Sequence, residues 1–456
     1  MLNKFLRMVL MEIYIGFFAS ILTIVLGVLM NVFIGYLLLV CWLIFAFIGI
    51  KKGYSIRDLY RMSYKGGKKS ILVVQILFLI GAVSGAWMAS GTIPGIVYYS
   101  LRFIKPDDFI LLSFLICCGA SFLLGSATGT VSIVGLPLII LAKSGDVNLN
   151  LAAGAIIAGV YFGDRCSPMS SSAILVSNLT DTNLFKNIKN MLYSSFLPFL
   201  LSIAFYYEFS KLSPLDLTNN SLTGEIYKSF NVGMVVFIPI LIILILSLLR
   251  VDIKYAMLFS MISASIVAVF VQGLHPVKVL EDIVFGLKLG QFDPLRNILE
   301  GGGIESMSKA CMAIFTACCL AGILEGINAF EGIKNYLMRL RLSGLLLYVL
   351  TTVISTMTAA FGCTQSIAVV MTDEIMKGCY HKEGKYKFAL DIENSCILTS
   401  ALIPWNIAAM ICTATLSVSM YGFIPYAFYL YIFPISNLLQ IVFKDGAKRR
   451  LIRLKT

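Results

Sequence analysis

The sequence predicts an all-α polytopic membrane protein, and composition, run length and charge placement all support this class. Of the 456 residues, 59% are apolar and 13% are charged, whereas globular domains carry about 25% charged residues. The apolar residues form repeated runs of about the 20 residues that a helix needs to cross a bilayer. The net charge of +12 comes largely from basic residues between these runs, which indicates topology signals and lipid-headgroup contacts rather than nucleic-acid binding.

The apolar runs predict about 11–13 spans together with re-entrant hairpins. Segment 51–70 carries seven basic residues against Asp58 alone, so the positive-inside rule places it and the N-terminus in the cytoplasm, and the basic tail places the C-terminus there too. Regions 109–142 and 343–378 are too long for one span, and each has a polar interruption that predicts a hairpin or a broken helix. The predicted apolar segments are 11–31, 33–50, 71–100, 109–142, 150–177, 190–208, 231–249, 255–272, 306–328, 343–378, 393–421 and 423–443.

Three polar landmarks at a nearly constant spacing indicate an internal repeat. GAWMASGTIPGI (85–96) aligns with GILEGINAFEGI (322–333) at an offset of 237 residues, and Gly125 meets Gly362 at the same offset. Pro168 and Pro404 are 236 residues apart. When the loops are assigned to the two sides of the membrane, equivalent spans of the two halves cross the membrane in opposite directions. The sequence therefore predicts an inverted repeat with broken helices, the architecture of many secondary transporters, whose sites lie near the membrane midplane.

The predicted inverted repeat divides the chain into four segments. Residues 1–70 form an N-terminal helical hairpin with a basic cytoplasmic loop, and 71–230 form the first transporter repeat. Residues 231–305 provide linking helices and an external connector that is amphipathic near 279–290, and 306–456 form the second transporter repeat and the basic tail. Glycine and proline inside apolar runs predict helix breaks at Gly91, Pro94, Gly125, Gly129 and Gly362.

Asp164 is the leading candidate for a functional side chain. It lies in an apolar region, where a charge costs at least ~2.5–3.5 kcal/mol and is kept when it faces an interior cavity. Pro168 removes a helical hydrogen bond and frees backbone carbonyls beside Ser167 and Ser170. These oxygens suit a small hard cation, and a carboxylate at low dielectric can exchange H+ for Na+. The alternatives are an ion pair of Asp164 with Arg165, and serines that only pack or bond to carbonyls.

The second repeat offers matching candidates. Thr364 and Gln365 lie in the predicted break at 361–366 and present side-chain oxygens. Pro404 disfavours a helical hydrogen bond to the residue four positions earlier, and Asn406 adds an amide. A helix–helix hydrogen bond is the alternative for Asn406. The predicted ion- or substrate-binding residues are thus Asp164, Ser167, Pro168, Ser170, Thr364, Gln365, Pro404 and Asn406.

Proton coupling is assigned to three carboxylates: Asp164, Glu325 and Glu393. Glu325 lies in an otherwise apolar span. It is either a proton carrier or a residue near the cytoplasmic end of the span whose side chain reaches water. Glu393 stands at the start of its span, where stabilisation by a helix N-terminus is the alternative.

Enzymatic chemistry is not expected, nor is a cofactor or a metal other than a transported Na+. The two histidines lie in predicted loops, and the eleven cysteines include no CxxC pair, so small buried thiols are the expected role. No nucleotide loop, metal motif or nucleophile with a neighbouring base is evident. The expected partners are the lipid bilayer and the transported species, without nucleic acid.

A family resemblance rests on three stretches: AWMASGTIP (86–94), AGAIIAGVYFGDRCSPMS (153–170) and ENSCILTSALIPWN (393–406). They resemble the NhaC family of Na+/H+ antiporters, within the larger ion transporter superfamily, and the likeness extends from about residue 51 to the last span. The resemblance implies a Na+/H+ antiporter that exchanges cytoplasmic Na+ for external H+ by alternating access. It also implies a bacterial cytoplasmic (inner) membrane protein, with a homodimer as the usual assembly of related proteins.

Several positions depart from the family patterns GDKxSPLSDTTN, TSWGT and LEDSG. Ser171 replaces the second acidic residue, Asn394 replaces an aspartate, 126–130 lacks the tryptophan, and 362–366 lacks an acidic residue. Because neutral residues replace these carboxylates, an alternative stays open: a Na+- or H+-coupled transporter or exchanger of a small organic solute, either a carboxylate such as malate or lactate or an amino acid. The inverted repeat argues against a channel.

Overall fold

A computed structural model describes residues 2–30, 32–103, 105–215, 220–290, 295–296, 300–337, 340 and 343–453. This part of the chain is helical almost throughout, and its one recorded β feature is an isolated bridge between Leu287 and Gly301. Nine of its helices are long and apolar enough to cross a membrane, and shorter apolar helices lie at Met234–Leu248, Ile407–Leu416 and Phe428–Val442. The predicted all-α polytopic membrane protein is confirmed.

The N-terminal helices Leu2–Leu29 and Ile34–Lys51 form an antiparallel pair that precedes the long helix Ile56–Ala89. The segment 51–70, predicted as a loop, is helical from Ile56 onward. A capping box explains this correction, because Ser55 Oγ accepts from the backbone N–H of Asp58 and the Asp58 carboxylate accepts from the N–H of Ser55.

The long helix and its counterpart in the second repeat end in the same way. Helix Ile56–Ala89 stops at Gly91, which has φ +77°, and helix Thr92–Phe103 follows. Helix Ser308–Gly326 stops at Asn328, which has φ +50°, and helix Glu331–Leu337 follows. Gly91 and Asn328 are 237 positions apart, the offset of the predicted repeat. Pro94 is not a break: it is the third residue of its helix, where a missing N–H costs little.

Each repeat next forms a helical hairpin. Hairpin 1 comprises Phe109–Leu124 and Ala127–Ser144, with its tip at residues 125–126. Both of its ends lie beside Leu215, whose N–H donates to Pro106 O over 3.2 Å and whose side chain contacts Gly145. Hairpin 2 comprises Gly344–Gly362 and Gln365–Met376, with its tip at 363–364. Its open end is held by Glu383, which accepts from the Gly344 N–H over 3.2 Å.

Each hairpin is followed by a broken helix. Broken helix 1 comprises Leu149–Cys166 and Ser171–Leu179, and broken helix 2 comprises 385–400 and Ile407–Leu416. Broken helix 1 starts where Asn150 contacts Gly422 and ends where Lys377 donates to Leu179 O over 2.7 Å.

The two broken helices therefore run in opposite directions between two faces of the protein. One face holds the open end of hairpin 1, and the other holds the open end of hairpin 2. We call the second one the basic face, because Lys52, Lys69, Lys377 and Lys385 lie there. Opposed hairpins and opposed broken helices confirm the predicted inverted repeat.

A close crossing of two equivalent helices also shows that the repeats are inverted. Gly66 of helix Ile56–Ala89 packs on Gly322 of helix Ser308–Gly326, while Gly81 packs on Gly303 just before that second helix. The pairing order shows that the two helices are antiparallel. A Cβ atom at Gly66 would overlap the carbonyl oxygen of Cys318, so only glycine allows this approach.

The remaining helices surround this centre or link its parts. The predicted amphipathic segment of the connector is a helix that begins and ends earlier than expected, at Pro276–Phe285, and residues 291–294 and 297–299 of the connector lie outside the described part of the chain. The other helices are Leu184–Leu212, Asn220–Ser229, Ile238–Leu248, Ile253–Phe270, Gly303–Ser306 and Phe428–Arg453.

Candidate functional site

The two hairpin tips and the two helix breaks meet in the centre of the protein. Gly125, at the tip of hairpin 1, packs directly on Met169 in the break of broken helix 1. At the tip of hairpin 2, Cys363 O accepts from the N–H of Ile407 over 2.8 Å. The repeats are joined by the Tyr161 hydroxyl, which donates to Ala408 O over 3.0 Å.

Asp164 lies at this junction, in the last turn before the break. It is 5% exposed, and its Oδ2 accepts from Gln365 Nε2 over 3.0 Å and from Ser172 Oγ over 3.2 Å. The backbone N–H of Ala127, at the tip of hairpin 1, faces the same carboxylate. One carboxylate is therefore contacted from both hairpins and from the second half of its own helix.

Four helices begin around this carboxylate, each capped by a side-chain oxygen. These N-termini carry partial positive charge and so favour an anionic group. The caps are Ser126, Ser170, Thr364 and Asn406, which accept from the N–H groups of Gly129, Ala173, Ile367 and Ala408 respectively. Hydroxyl, amide and backbone oxygens beside one carboxylate form a donor set that suits a small cation.

The predicted residues of broken helix 1 lie together. Ser170 Oγ donates to the carbonyl oxygen of Asp164, so it closes the break as well as capping the next helix. Ser167 Oγ accepts from the Met169 N–H over 3.1 Å, and Pro168 lies in the turn between them. Backbone turns, rather than a continuous helix, occupy this buried segment.

The predicted residues of the second repeat fall into two groups, one beside Asp164 and one between broken helix 2 and hairpin 2. Gln365 contacts Asp164, and Thr364 caps the same helix. Asn406 Nδ2 donates to Ala359 O over 2.8 Å, and its neighbour Pro404 lies in the preceding turn. Asn406 therefore makes the alternative helix–helix contact and holds broken helix 2 against hairpin 2.

Two predicted breaks are displaced. The break of hairpin 1 is at Gly125, which has φ +66°, whereas Gly129 is helical because Ser126 already caps the second arm. Gly362 is the last helical residue of its arm, and the left-handed position is Cys363 with φ +62°.

Glu325 lies away from the centre, on the basic face. Its side chain is 52% exposed and pairs with Lys69 at 2.7 Å. It lines a cavity of about 350 Å³ together with Glu331 and Glu374. This position agrees with the alternative of a side chain that reaches water at the end of its span.

The broken helices also meet at the basic face. Lys385 Nζ lies 3.0 Å from Asp181 Oδ2, just after the end of broken helix 1. This hydrogen bond and the charge of the ammonium hold the pKa of Asp181 below its ordinary value. The pair links the end of one broken helix to the start of the other.

Arg165 is fully buried and does not pair with Asp164 in the part of the chain that the structure describes. Its guanidinium donates to Ser195 Oγ over 2.6 Å, to Ser194 Oγ over 2.8 Å and to Asn394 Oδ1. Its Cζ lies 4.1 Å from the ring centroid of Phe433. All of these partners are neutral, so the permanent positive charge of Arg165 is held without a bonded carboxylate.

Glu393 is also buried, at 1% exposure. It lies eight residues after Lys385 in a five-residue π turn, so stabilisation by a helix N-terminus does not apply. Within the described chain neither carboxylate oxygen has a hydrogen-bond partner.

Other contacting residues were not among the predicted ones. Ser172 touches Asp164 across the break, and Ser194, Ser195 and Asn394 hold Arg165. The available signal for Ser172 was its place in the first turn after a capping serine. No group of three or more His, Cys, Asp or Glu is placed to hold a metal ion within the described ranges.

Opposed helical hairpins and broken helices around a buried carboxylate define a secondary transporter. Residues 159–444 match the Na+/H+ antiporter family, and the chain belongs to that family.

Curated relatives cover most of the chain. The Na(+)/H(+) antiporter NhaC of Bacillus subtilis is 28% identical over 406 residues, which cover 85% of this chain and 87% of the relative. The malate-2H(+)/Na(+)-lactate antiporter of the same organism is 27% identical over 398 residues, 85% of each chain. The arginine/ornithine antiporter ArcD of Halobacterium salinarum is 24% identical over 398 residues, 84% of this chain and 82% of the relative.

Proposed function

We propose that this protein is a Na+/H+ antiporter that exchanges cytoplasmic Na+ for external H+ by alternating access. The observation that carries the proposal is the buried carboxylate of Asp164 at the junction of both hairpins and both broken helices. A carboxylate there balances a cation or a proton, and holding both at once would leave a buried positive charge. Because Na+ and H+ compete for one site, H+ that moves down its gradient in one direction drives Na+ in the other direction.

Each residue of the site has a role in this proposal. Asp164 supplies the negative charge, and Gln365 and Ser172 stabilise it by donating to its Oδ2. Oxygens of the turn at Ser167 and Ser170, with the cap oxygen of Thr364, complete the coordination of Na+. Asn406 and Pro404 keep broken helix 2 against hairpin 2.

The orientation is part of the proposal. The basic face carries lysines of the N-terminal segment and of the second repeat, and the positive-inside rule makes it cytoplasmic. The N- and C-termini are then cytoplasmic, and the membrane is the bacterial inner membrane. The division into an N-terminal hairpin, two repeats and a linking segment stays a proposal, as does the homodimer, which mass measurement in detergent would test.

Reconstitution in liposomes tests the exchange. With an imposed pH gradient and a pH-sensitive dye, addition of Na+ should collapse the gradient for the unmodified protein and not for Asp164→Asn. Asp146→Asn is a matched control, because Asp146 is exposed in a left-handed turn that asparagine tolerates. An Asp164→Asn variant that exchanges normally would refute the role of Asp164.

A second candidate function is coupled transport of a small organic solute. Ser171 and Asn394 stand where the family pattern has acidic residues, and the neutral residues at 126 and 128 stand where it has TSWGT, so the centre carries fewer charges and lacks a tryptophan. Relatives include antiporters whose names specify malate and lactate or arginine and ornithine. If Na+, Li+ and K+ all fail to collapse the gradient, the same vesicles should be screened with carboxylates and amino acids.

A further inference from the structure

Glu393 has an unusual environment for a carboxyl group. Asp391, two residues earlier and equally buried, receives Lys387 Nζ at 2.6 Å on one oxygen and the Tyr380 hydroxyl at 2.9 Å on the other. Glu393 has no such partner on either oxygen. A buried ionised carboxylate without hydrogen bonds is so costly that the group takes up a proton instead.

The groups that face Glu393 come from several elements. Broken helix 1 contributes Arg165, whose charge attracts the carboxylate, Asp164, whose charge repels it, and the thiol of Cys166. Its own π turn contributes the thiol of Cys396. The hydroxyls of Ser355, Thr372 and Tyr429, from hairpin 2 and the last helix, bond to Ser395, Cys396 and Ser195 respectively.

We propose that Glu393 holds a proton of its own, separate from the cation site, and that cation binding at Asp164 releases it. The inference rests on the proposed antiport. With the site empty, Asp164 and Arg165 balance each other and Glu393 is neutral. A cation on Asp164 cancels the repulsion that opposes ionisation of Glu393, and Arg165 then attracts the new carboxylate. The O–H bond of Glu393 breaks, and the proton passes to water on the side to which the site is open.

The coupling must be reciprocal, because it is an equilibrium property. If cation binding promotes loss of the proton, then loss of the proton strengthens cation binding. Cation affinity therefore rises with pH, by up to about tenfold per pH unit for each proton released. An Asp164 that is already ionised has no proton to release when a cation binds, so in that pH range the proton of Glu393 accounts for the pH dependence.

The experiment measures Na+ affinity of the purified full chain by calorimetry, from about pH 6 to about pH 9. Glu393→Gln mimics the protonated side chain and so preserves its shape and neutrality. It should still bind Na+, but the logarithm of its Kd should change with pH by up to about one unit less per pH unit than in the unmodified protein. Glu393→Asp keeps a titratable group and should retain the steeper dependence. Glu331→Gln, on the basic face, should match the unmodified protein.

An equally steep pH dependence in Glu393→Gln would overturn the separate proton site. A shallow dependence in both Glu393→Gln and Glu393→Asp would overturn it too, because the titratable group would then not be the cause. Failure of the antiport proposal has a different signature: Asp164→Asn would bind Na+ as tightly as the unmodified protein.

Discussion

The side-chain amide of Gln365 donates to the carboxylate of Asp164 over 3.0 Å, across 201 residues of sequence. Gln365 begins the second arm of hairpin 2, and Asp164 lies in the last turn of the first half of broken helix 1. This bond therefore joins the two inverted repeats at the residue on which the proposed exchange depends. A change in how the repeats meet would alter the environment of the carboxylate directly.

Replacing Gln365 with leucine should shift cation binding to higher pH. The amide favours the ionised carboxylate, and hydrogen bonds to charged groups contribute about 1.5–3 kcal/mol. Loss of the bond lets Asp164 hold its proton more tightly, so the apparent Na+ affinity at fixed pH should fall about tenfold or more. The pH profile of exchange in liposomes measures this. Gln75→Leu, at an exposed position, is the control. An unshifted profile in Gln365→Leu would show that the bond has no part in exchange.

Gly125→Ala should damage the centre, whereas Gly119→Ala should not. Both glycines belong to the region of the first arm of hairpin 1, but only Gly125 has positive φ, and its added Cβ would overlap Met169. The left-handed conformation alone costs a non-glycine residue about 1–2 kcal/mol. Gly119 has open space for a Cβ, and alanine there should be neutral or slightly stabilising. Thermal unfolding in detergent and exchange rates should separate the two variants. Equal unfolding temperatures and exchange rates in the two variants would contradict the close contact between Gly125 and Met169.

Asn394→Asp should raise the pH at which exchange begins. The new carboxylate would pair with Arg165, which now bonds the amide oxygen of Asn394. The added negative charge would make both Asp164 and Glu393 retain protons, so we expect an upward shift of about one pH unit or more. Asn148→Asp, at an exposed helix cap, leaves the centre unchanged and serves as the control. A downward shift would mean that Arg165 does not act on these carboxylates.

Glu325→Gln should have little effect on exchange. Its pair with Lys69 is largely solvated, and such pairs contribute about 0–1 kcal/mol to stability. Exchange rates within about twofold of the unmodified protein are expected, with a small change in thermal unfolding. Loss of pH-driven exchange in this variant would instead restore Glu325 as a proton carrier.

Much of the centre could be predicted because the bilayer penalises polar groups. Asp164, and the interruptions near 125, 168, 363 and 404, stand out in apolar runs, and their constant spacing predicts the repeat. Contacts between the repeats could not be predicted, since side-chain directions beyond a break depend on its turn geometry. The positions of Glu325 and Glu393 also required the structure, because hydropathy does not say where a helix ends or which face it buries.

The partners of Arg165 become available at different times during synthesis of the chain. Ser194 and Ser195 follow Arg165 by 29 and 30 residues, whereas Asn394 follows by 229. At a synthesis rate of about 5–20 residues per second, Asn394 is made roughly 10–50 s after Arg165. During that interval the partners already synthesised include the two serines and the carbonyl oxygen of Met191. We expect these partners to help a partly synthesised chain retain the positive charge of Arg165 in the membrane until the second repeat is made.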